Sequence, residues 1–161
     1  MPVLIDGYNL LRAVQKIIES ETLTEPRLCR LLSDYFGLTG QKGQIVFDGT
    51  GERNKTAFEN FSYLEVVFSG GQSDADTVIE EKITANSAPR DLLVVSSDRR
   101  LRASARKRKS QAIKSEEFWQ VLADYFTKLS KKRKVAEPRG KFEGITDAET
   151  DYWLKIFGFK K

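Results

Sequence analysis

Five aspartates stand where apolar segments end or where the next helix is predicted to begin. Short continuous apolar runs bounded by turn residues are typical of buried parallel strands. The carboxyl ends of parallel strands meet at one edge of a sheet, where ligands of open α/β sheets bind. The runs and the acids that follow them are residues 3–5 with Asp6, residues 45–47 with Asp48, residues 63–68 with Asp74 and Asp76, and residues 92–95 with Asp98.

Each acid also has an ordinary structural interpretation. Asp6 and Asp48 each precede a glycine, which is a common turn dipeptide. Asp98 can cap the helix predicted after it, and Asp76 can complete a capping box begun by Ser73. Together, however, acids at one sheet edge repel one another unless a cation or an arginine compensates them. Asp48 is left open between a role in the fold and a role in a site.

The composition limits the chemistry that such a site can perform. The 161 residues include no histidine and one cysteine, Cys29. This excludes a Ser-His-Asp triad, a Cys-His pair, internal disulfides and the usual Cys/His zinc sites. A metal would need carboxylate and other oxygen ligands, which is typical of Mg²⁺ or Mn²⁺.

The net charge of +4 conceals a separation of charge along the chain. Residues 1–98 carry −6, residues 99–141 carry +11, and the last twenty residues carry −1. A concentrated basic block beside an acidic body favours binding of a polyanion. Solvated, lysine-rich helix faces are the alternative.

The arginines that follow Asp98 put phosphate-pairing groups beside the predicted acidic cluster. Acids suited to a cation and arginines suited to phosphate, in one place, indicate a nuclease. The residues predicted to bind substrate are Ser97, Arg99, Arg100, Arg102, Arg106 and Arg108.

Apolar strands alternate with helical patterns, which predicts an α/β fold with a mainly parallel sheet covered on both faces. Residues 1–130 are expected to form the principal domain. Residues 131–141 read as a basic linker to a last helix opened by Thr146, which we expect to pack on the same domain. No apolar run is long enough to span a membrane and the N-terminus has no signal pattern, so the expected location is the cytoplasm.

At this point the motifs resemble a known family. Asp6-Gly7-Tyr8-Asn9, at the end of the first strand, resembles the signature of the NYN domain, a branch of the PIN-like nucleases. Residues 47–49, 67–71, 75–80 and 96–98 resemble its bacterial YacP-like members in consistent order, although many relatives have threonine where Ser96 or Ser97 stands. The resemblance covers residues 2–130.

The resemblance implies a PIN-like three-layer α/β/α sandwich with strands one and four side by side at its centre. It also implies metal-dependent RNA endonuclease activity, and at least one bacterial member cuts messenger RNA on the ribosome. Asp6, Asp76 and Asp98 match the family's acidic positions and would hold the metal, while Asn9 would orient a ligand or water. Asp74 and Glu80 would act through intervening waters.

Two other functions stay open on the sequence. One is a catalytically silent PIN-like module that binds RNA or serves as an adaptor. The other is nucleotide binding, because residues 49–56 nearly spell a Walker A loop after a strand. Asn54 stands where that loop requires its second glycine, which weakens the second interpretation.

Overall fold

A computed structural model describes residues 2–51 and 55–135, with side chains through residue 132. Its strands are β1 (Val3–Asp6), β2 (Gly43–Phe47), β3 (Leu64–Phe68), β4 (Leu93–Val95) and β5 (Gln111–Ile113). Its helices are α1 (Gly7–Ile17), α2 (Glu25–Thr39), α3 (Ala75–Ala85), α4 (Arg99–Lys107) and α5 (Ser115–Val135). Two single 3₁₀ turns lie at Thr56–Phe58 and Pro89–Asp91.

The strands form one parallel sheet in the order β3-β2-β1-β4-β5. This confirms the predicted α/β class and the central pairing of strands one and four. The order reverses between β1 and β4, because the chain first builds outward through β2 and β3 and then returns to the other side of β1. Such a reversal leaves a crevice beyond the carboxyl ends of the two central strands.

The chain divides into two compact units, Met1–Phe118 and Trp119–Lys161. The first contains the whole sheet, α1 to α4 and the first residues of α5. The second is described only for its part of α5, which is helical to Val135. No helix in the described ranges is long and apolar enough to cross a membrane.

Helices cover both faces of the sheet in the first unit. α3 and α4 pack against one face, where alternate strand residues Leu4, Val46 and Val94 are buried with Ile79 and Leu101. α1 and α2 contact the strands as well. A strand whose two faces are both buried explains the continuous apolar runs.

Most predicted element boundaries are confirmed, and the predicted cap of α3 is wrong. α2 begins after Thr24, as the sequence predicts, and ends at Gly40, which adopts a left-handed φ of 68°. α3 is capped by Asp74 rather than by Ser73, because the Asp74 carboxylate accepts a 2.7 Å hydrogen bond from the backbone N–H of Thr77. The capping box with Ser73 is therefore also wrong.

The predicted basic linker differs from the structure where the two overlap. α5 continues through residues 131–135, so that part of the linker is helical. The rest of the linker and the helix predicted from Thr146 lie outside the described residues.

In the part of the chain that the structure describes, no α-helix directly follows Lys55, where the Walker A interpretation requires one. A phosphate-binding loop delivers its phosphate to the N-terminus of a helix. Here the chain after Lys55 forms only the 3₁₀ turn Thr56–Phe58. The Lys55 ammonium instead contacts the carbonyl oxygen of Thr50 and lies 3.9 Å from the Phe68 ring centroid.

Gly7 allows α1 to start directly against β2, immediately after Asp6. A Cβ atom at this position would lie 2.5 Å from Phe47 Cδ1 and 2.8 Å from the carbonyl oxygen of Val46. The Val46 contact is to backbone, so it cannot be relieved by rotating a side chain. The close approach requires glycine.

We predict that Gly7→Ala lowers the free energy of unfolding by about 1–3 kcal/mol, because the added methyl overpacks this junction. Gly71→Ala is the matched control, since no atom lies within 4 Å of a Cβ built there. Urea unfolding of both variants tests the prediction. Equal stabilities of the two variants would contradict it.

Candidate active site

The pairing of β1 with β4 assembles the centre of the site. Ile5 pairs with Val95 in register, so the residues that follow, Asp6 and Ser96, stand next to each other. The Ser96 hydroxyl donates a 3.0 Å hydrogen bond to Asp6 Oδ2, across 90 residues of sequence. The two central strands thus end in a direct side-chain contact.

Asp6 is the most perturbed carboxylate of this edge. Its side chain is only 8% exposed. Its pKa is raised from 3.8 to about 6, mainly because of burial, with smaller increases from the charges of Asp76 and Asp98 and with hydrogen bonds from Ser96 and the Asn9 backbone acting in the opposite direction. The pKa shift shows that the three predicted acids share one electrostatic environment.

Ser96 is a site residue that the sequence analysis did not identify. It is fully buried. Its hydroxyl oxygen also accepts a 3.1 Å hydrogen bond from the backbone N–H of Asp98. One side chain therefore fixes both Asp6 and the loop that carries Asp98. The sequence feature that could have identified Ser96 is a hydroxyl residue directly after a buried strand that pairs with the strand of Asp6.

Asp98 and Asp76 each stand at the start of a helix. The Asp98 carboxylate caps α4 by accepting a 2.8 Å hydrogen bond from the backbone N–H of Arg100. Asp98 therefore has the helix-capping role that the sequence offered as its structural interpretation. Asp76 lies in the first turn of α3 and is half-buried. Burial raises its pKa first, followed by the charges of Asp98 and Asp74.

Arg100 is the counter-ion of this acidic edge. Its Nε lies 2.6 Å from Glu80 Oε1, and its charge lowers the pKa of both Asp76 and Asp74. The arginine is largely exposed, so the pair contributes little to stability. In this structure Arg100 offsets the repulsion among the acids.

Two of the remaining acids have structural partners. Asp48 Oδ1 accepts hydrogen bonds from the backbone N–H of Ala75 at 3.2 Å and from the Ser69 hydroxyl at 3.3 Å. These bonds tie the end of β2 to the end of β3 and to the start of α3. Asp74 is the cap of the same helix. Both acids hold the helix that carries Asp76.

Asn9 and Ser97 form a second connection behind the acids. Asn9 Oδ1 accepts hydrogen bonds from the backbone N–H of Ser97 at 2.9 Å and from the Ser115 hydroxyl at 2.6 Å. The Ser97 hydroxyl donates to Glu116 at 2.6 Å and accepts from the backbone N–H of Ser115 at 3.1 Å. The side chains of Asn9 and Ser97 therefore position the loop after β4. The role of Asn9 toward water and that of Ser97 toward substrate stay predictions.

The predicted substrate-binding arginines separate into two groups. Arg99, Arg102 and Arg106 line a groove of about 450 Å³ together with Ala103 and Lys114. The other two have protein partners: Arg100 pairs with Glu80, and Arg108 donates a 3.2 Å hydrogen bond to the carbonyl oxygen of Asn86. The basic helix thus offers a cationic groove on one side only.

A larger cleft of about 580 Å³ lies at the opposite edge of the sheet, at the amino ends of the strands. Val3, Gly43, Leu64 and Lys82 are among its lining residues. None of the residues predicted for catalysis, metal binding or substrate binding lines this cleft. The predicted chemistry therefore resides at the carboxyl edge, where the pocket is smaller.

The acids of the carboxyl edge do not form a preassembled metal cage. Among residues 2–51 and 55–135, no three Asp, Glu, His or Cys side chains stand together in a way that could hold a metal ion. In this structure Asp76 and Asp98 act on Asp6 through their charges. Any shared ion would require them to draw closer together.

The raised pKa of Asp6 predicts a pH-dependent effect of Asp6→Asn on stability. Because the folded-state pKa of about 6 exceeds the ordinary 3.8, ionisation of Asp6 disfavours the folded state as pH rises through this interval. The neutral, isosteric Asn removes that cost and still accepts the Ser96 hydrogen bond. We expect Asp6→Asn to raise the free energy of unfolding by up to about 3 kcal/mol at pH 7.5, with the gain vanishing below pH ~4.

Urea unfolding in a chelator across this pH range measures the effect. Asp91→Asn is the control for the loss of one negative charge, because the Asp91 side chain is exposed. A gain that stays constant with pH, or a loss of stability at pH 7.5, would contradict the role assigned to Asp6.

Comparisons with known proteins bear on the family and the fold of this chain. The family model described as YacP-like NYN domain matches residues 3–155. The crystal structure of Rae1 (YacP) from Bacillus subtilis aligns with a TM-score of 0.70 at 21% identity, covering 98% of this chain and 92% of that one. A tryptophan-to-leucine mutant of the same protein aligns with a TM-score of 0.65 at 18% identity and the same coverage. Among curated proteins there is no significant match. Because the family model matches residues 3–155, nearly the whole length, this chain belongs to the YacP-like NYN domain family.

Proposed function

We propose that the protein is an endoribonuclease that hydrolyses RNA phosphodiester bonds with the help of Mg²⁺ or Mn²⁺. The observation that carries this proposal is the electrostatic coupling of Asp6, Asp76 and Asp98 at the carboxyl edge of the central strands. The charges of Asp76 and Asp98 raise the pKa of Asp6, and the charge of Asp98 raises that of Asp76. Such repulsion destabilises an empty site, and a binding-only module has no need of it.

The chemistry of the donor set fits a hard divalent ion. The available side-chain ligands are carboxylate and hydroxyl oxygens, which Mg²⁺ and Mn²⁺ prefer. Asp6, Asp76 and Asp98 would hold the ion, and its charge would offset the burial and the smaller repulsion that raise the pKa of Asp6 and Asp76. A bound divalent ion supplies charge neutralisation at the phosphoryl group and acidifies a water molecule.

The protein's own groups have distinct tasks in this mechanism. Ser96 holds the Asp6 carboxylate and the backbone of Asp98 in fixed relation. Asn9 holds the loop between β4 and α4 from the other side. The chain has no histidine, so no imidazole can move the proton of the attacking water. Proton transfer in this mechanism falls to water and carboxylates.

The proposed substrate is messenger RNA, and the proposed setting is the ribosome in the cytoplasm. Membership of the YacP-like family supports an RNA substrate. The basic surface of α4 supports a polyanionic partner, because Arg99, Arg102 and Arg106 present three positive charges beside the acidic edge.

A catalytically silent RNA-binding or adaptor module is the second candidate, and one observation favours it. The Arg100–Glu80 pair already compensates part of the negative charge of the acidic edge without an ion. A module of this kind would bind RNA through α4 and leave it intact.

We predict that Asp76→Asn stays folded and binds RNA but loses Mn²⁺-dependent cleavage. The substitution removes one proposed ligand and one repelling charge, so the loss should be at least about 10–100-fold, the range seen even for residues that only support a metal ligand. The assay follows labelled single-stranded RNA with Mn²⁺ or with a chelator, on naked RNA and on translating ribosomes.

Glu81→Gln is the matched control, because Glu81 is an exposed acid on the same helix. It should cleave like the parent protein. Unchanged cleavage by Asp76→Asn would remove Asp76 from the mechanism. Absence of Mn²⁺-dependent cleavage by the parent on either substrate would favour the silent module.

A further inference from the structure

The groove along α4 has a lining that is almost entirely cationic. Its walls are Arg99, Arg102, Ala103, Arg106 and Lys114, and it encloses about 450 Å³. No acidic side chain of the described residues belongs to this lining. The nearby acid is Glu116, whose carboxylate accepts a hydrogen bond from the Ser97 hydroxyl. This hydrogen bond and, to a smaller extent, the charge of Lys114 lower the pKa of Glu116. A cavity with this lining is suited to an anion.

The spacing of the arginines makes the groove elongated. Arg99, Arg102 and Arg106 are three and four residues apart, so they lie on one face of α4. At 1.5 Å per residue they extend over about 10 Å of helix axis. Phosphates of one stacked nucleic acid strand recur about every 3.4 Å along the axis, so the stripe can face more than one successive phosphate. Lys114, which follows β5, adds a charge from a different element.

One nitrogen of Arg102 lacks a protein partner among the described residues. Its Nε atom is buried and has no hydrogen-bond partner among the described residues. Arg100 on the same helix and Arg108 directly after it both have such partners. The Arg102 Nε is therefore not engaged by an acceptor of the described residues, and Arg102 is also one of the residues that line the groove.

The groove starts beside the acidic edge. Arg99 directly follows Asp98, whose carboxylate caps the same helix. A strand bound along the arginine stripe would therefore reach the acids at one end of α4 and leave at the other.

We infer that the α4 groove binds successive backbone phosphates of the RNA strand, on one side of the bond that is cleaved. This inference rests on the proposed function, since it assigns the strand's path to the same site. Arginine forks can pair phosphate oxygens in a bidentate manner, and Lys114 supplies a further point charge. The contacts reach the backbone alone, so binding here is independent of base sequence.

The test measures RNA binding separately from cleavage. A fluorescein-labelled, single-stranded oligouridylate is titrated in a chelator at several salt concentrations, and anisotropy gives Kd. For Arg102→Gln/Arg106→Gln we expect binding at least tenfold weaker at low salt. The slope of log K against log salt should fall by about 1.4, which is about 0.7 for each lost single-strand phosphate contact.

Arg90→Gln/Lys107→Gln is the matched control, because it removes the same charge from exposed residues outside the groove. It should retain most of the slope and bind within about threefold of the parent. Equal losses in the two double variants would overturn the inference in favour of a general charge effect. Arg106→Gln alone covers the case in which the groove variant misfolds, because Arg106 is exposed.

Two further outcomes separate this inference from its neighbours. If inorganic phosphate competes with the oligouridylate at equal phosphate concentration, the groove is a simple anion site and the inference is wrong. If the groove variant loses RNA binding as expected while no protein cleaves RNA, the groove is supported and the cleavage proposal fails. If cleavage is seen and the groove variant binds RNA like the parent, the cleavage proposal is supported and the groove inference is wrong.

Discussion

The hydrogen bond between Ser96 and Asp6 connects the fold to the site. It spans the two central strands at the point where both end, and it holds a carboxylate that is 8% exposed. A buried carboxylate needs such donors, since burial without them is strongly unfavourable. The same hydroxyl accepts from the Asp98 backbone, so the loop that starts α4 is fixed by the group that solvates Asp6. The parallel pairing of β1 with β4 makes this contact, and Gly7 lets α1 depart immediately after it.

Opposite charges are then organised around that contact. The acids of this edge repel one another. The positive charge of Arg100, which pairs with Glu80, offsets part of that repulsion. α4 begins at the Asp98 cap, and a carboxylate there suits the positive end of the helix dipole. Basic residues Arg106 and Lys107 in its last turn suit the negative end. One helix can therefore be strongly basic and still start at an acidic site.

Local patterns were sufficient to predict much of the fold. Apolar runs, turn dipeptides and Thr24 as a cap predicted the first four strands and most helices. The adjacency of β1 and β4 came from the family resemblance, because periodicity carries no information on strand order. Ser73 and Asp74 are both good capping residues, and only the path of the backbone decided between them. The partners of Asp48 lie 21 or more residues away, and Asp6 lies 90 residues from Ser96, so these contacts are beyond the reach of local rules.

We propose that Asp6, Asp76 and Asp98 share one divalent ion at the carboxyl edge. Anomalous diffraction from a crystal soaked in Mn²⁺ is the most direct measurement. The account predicts a peak contacted by Asp6 and at least one of the other two carboxylates, with Asp76 and Asp98 drawn toward Asp6. A fully occupied Mn²⁺ site elsewhere, with these three acids undisplaced and without a peak between them, would contradict it.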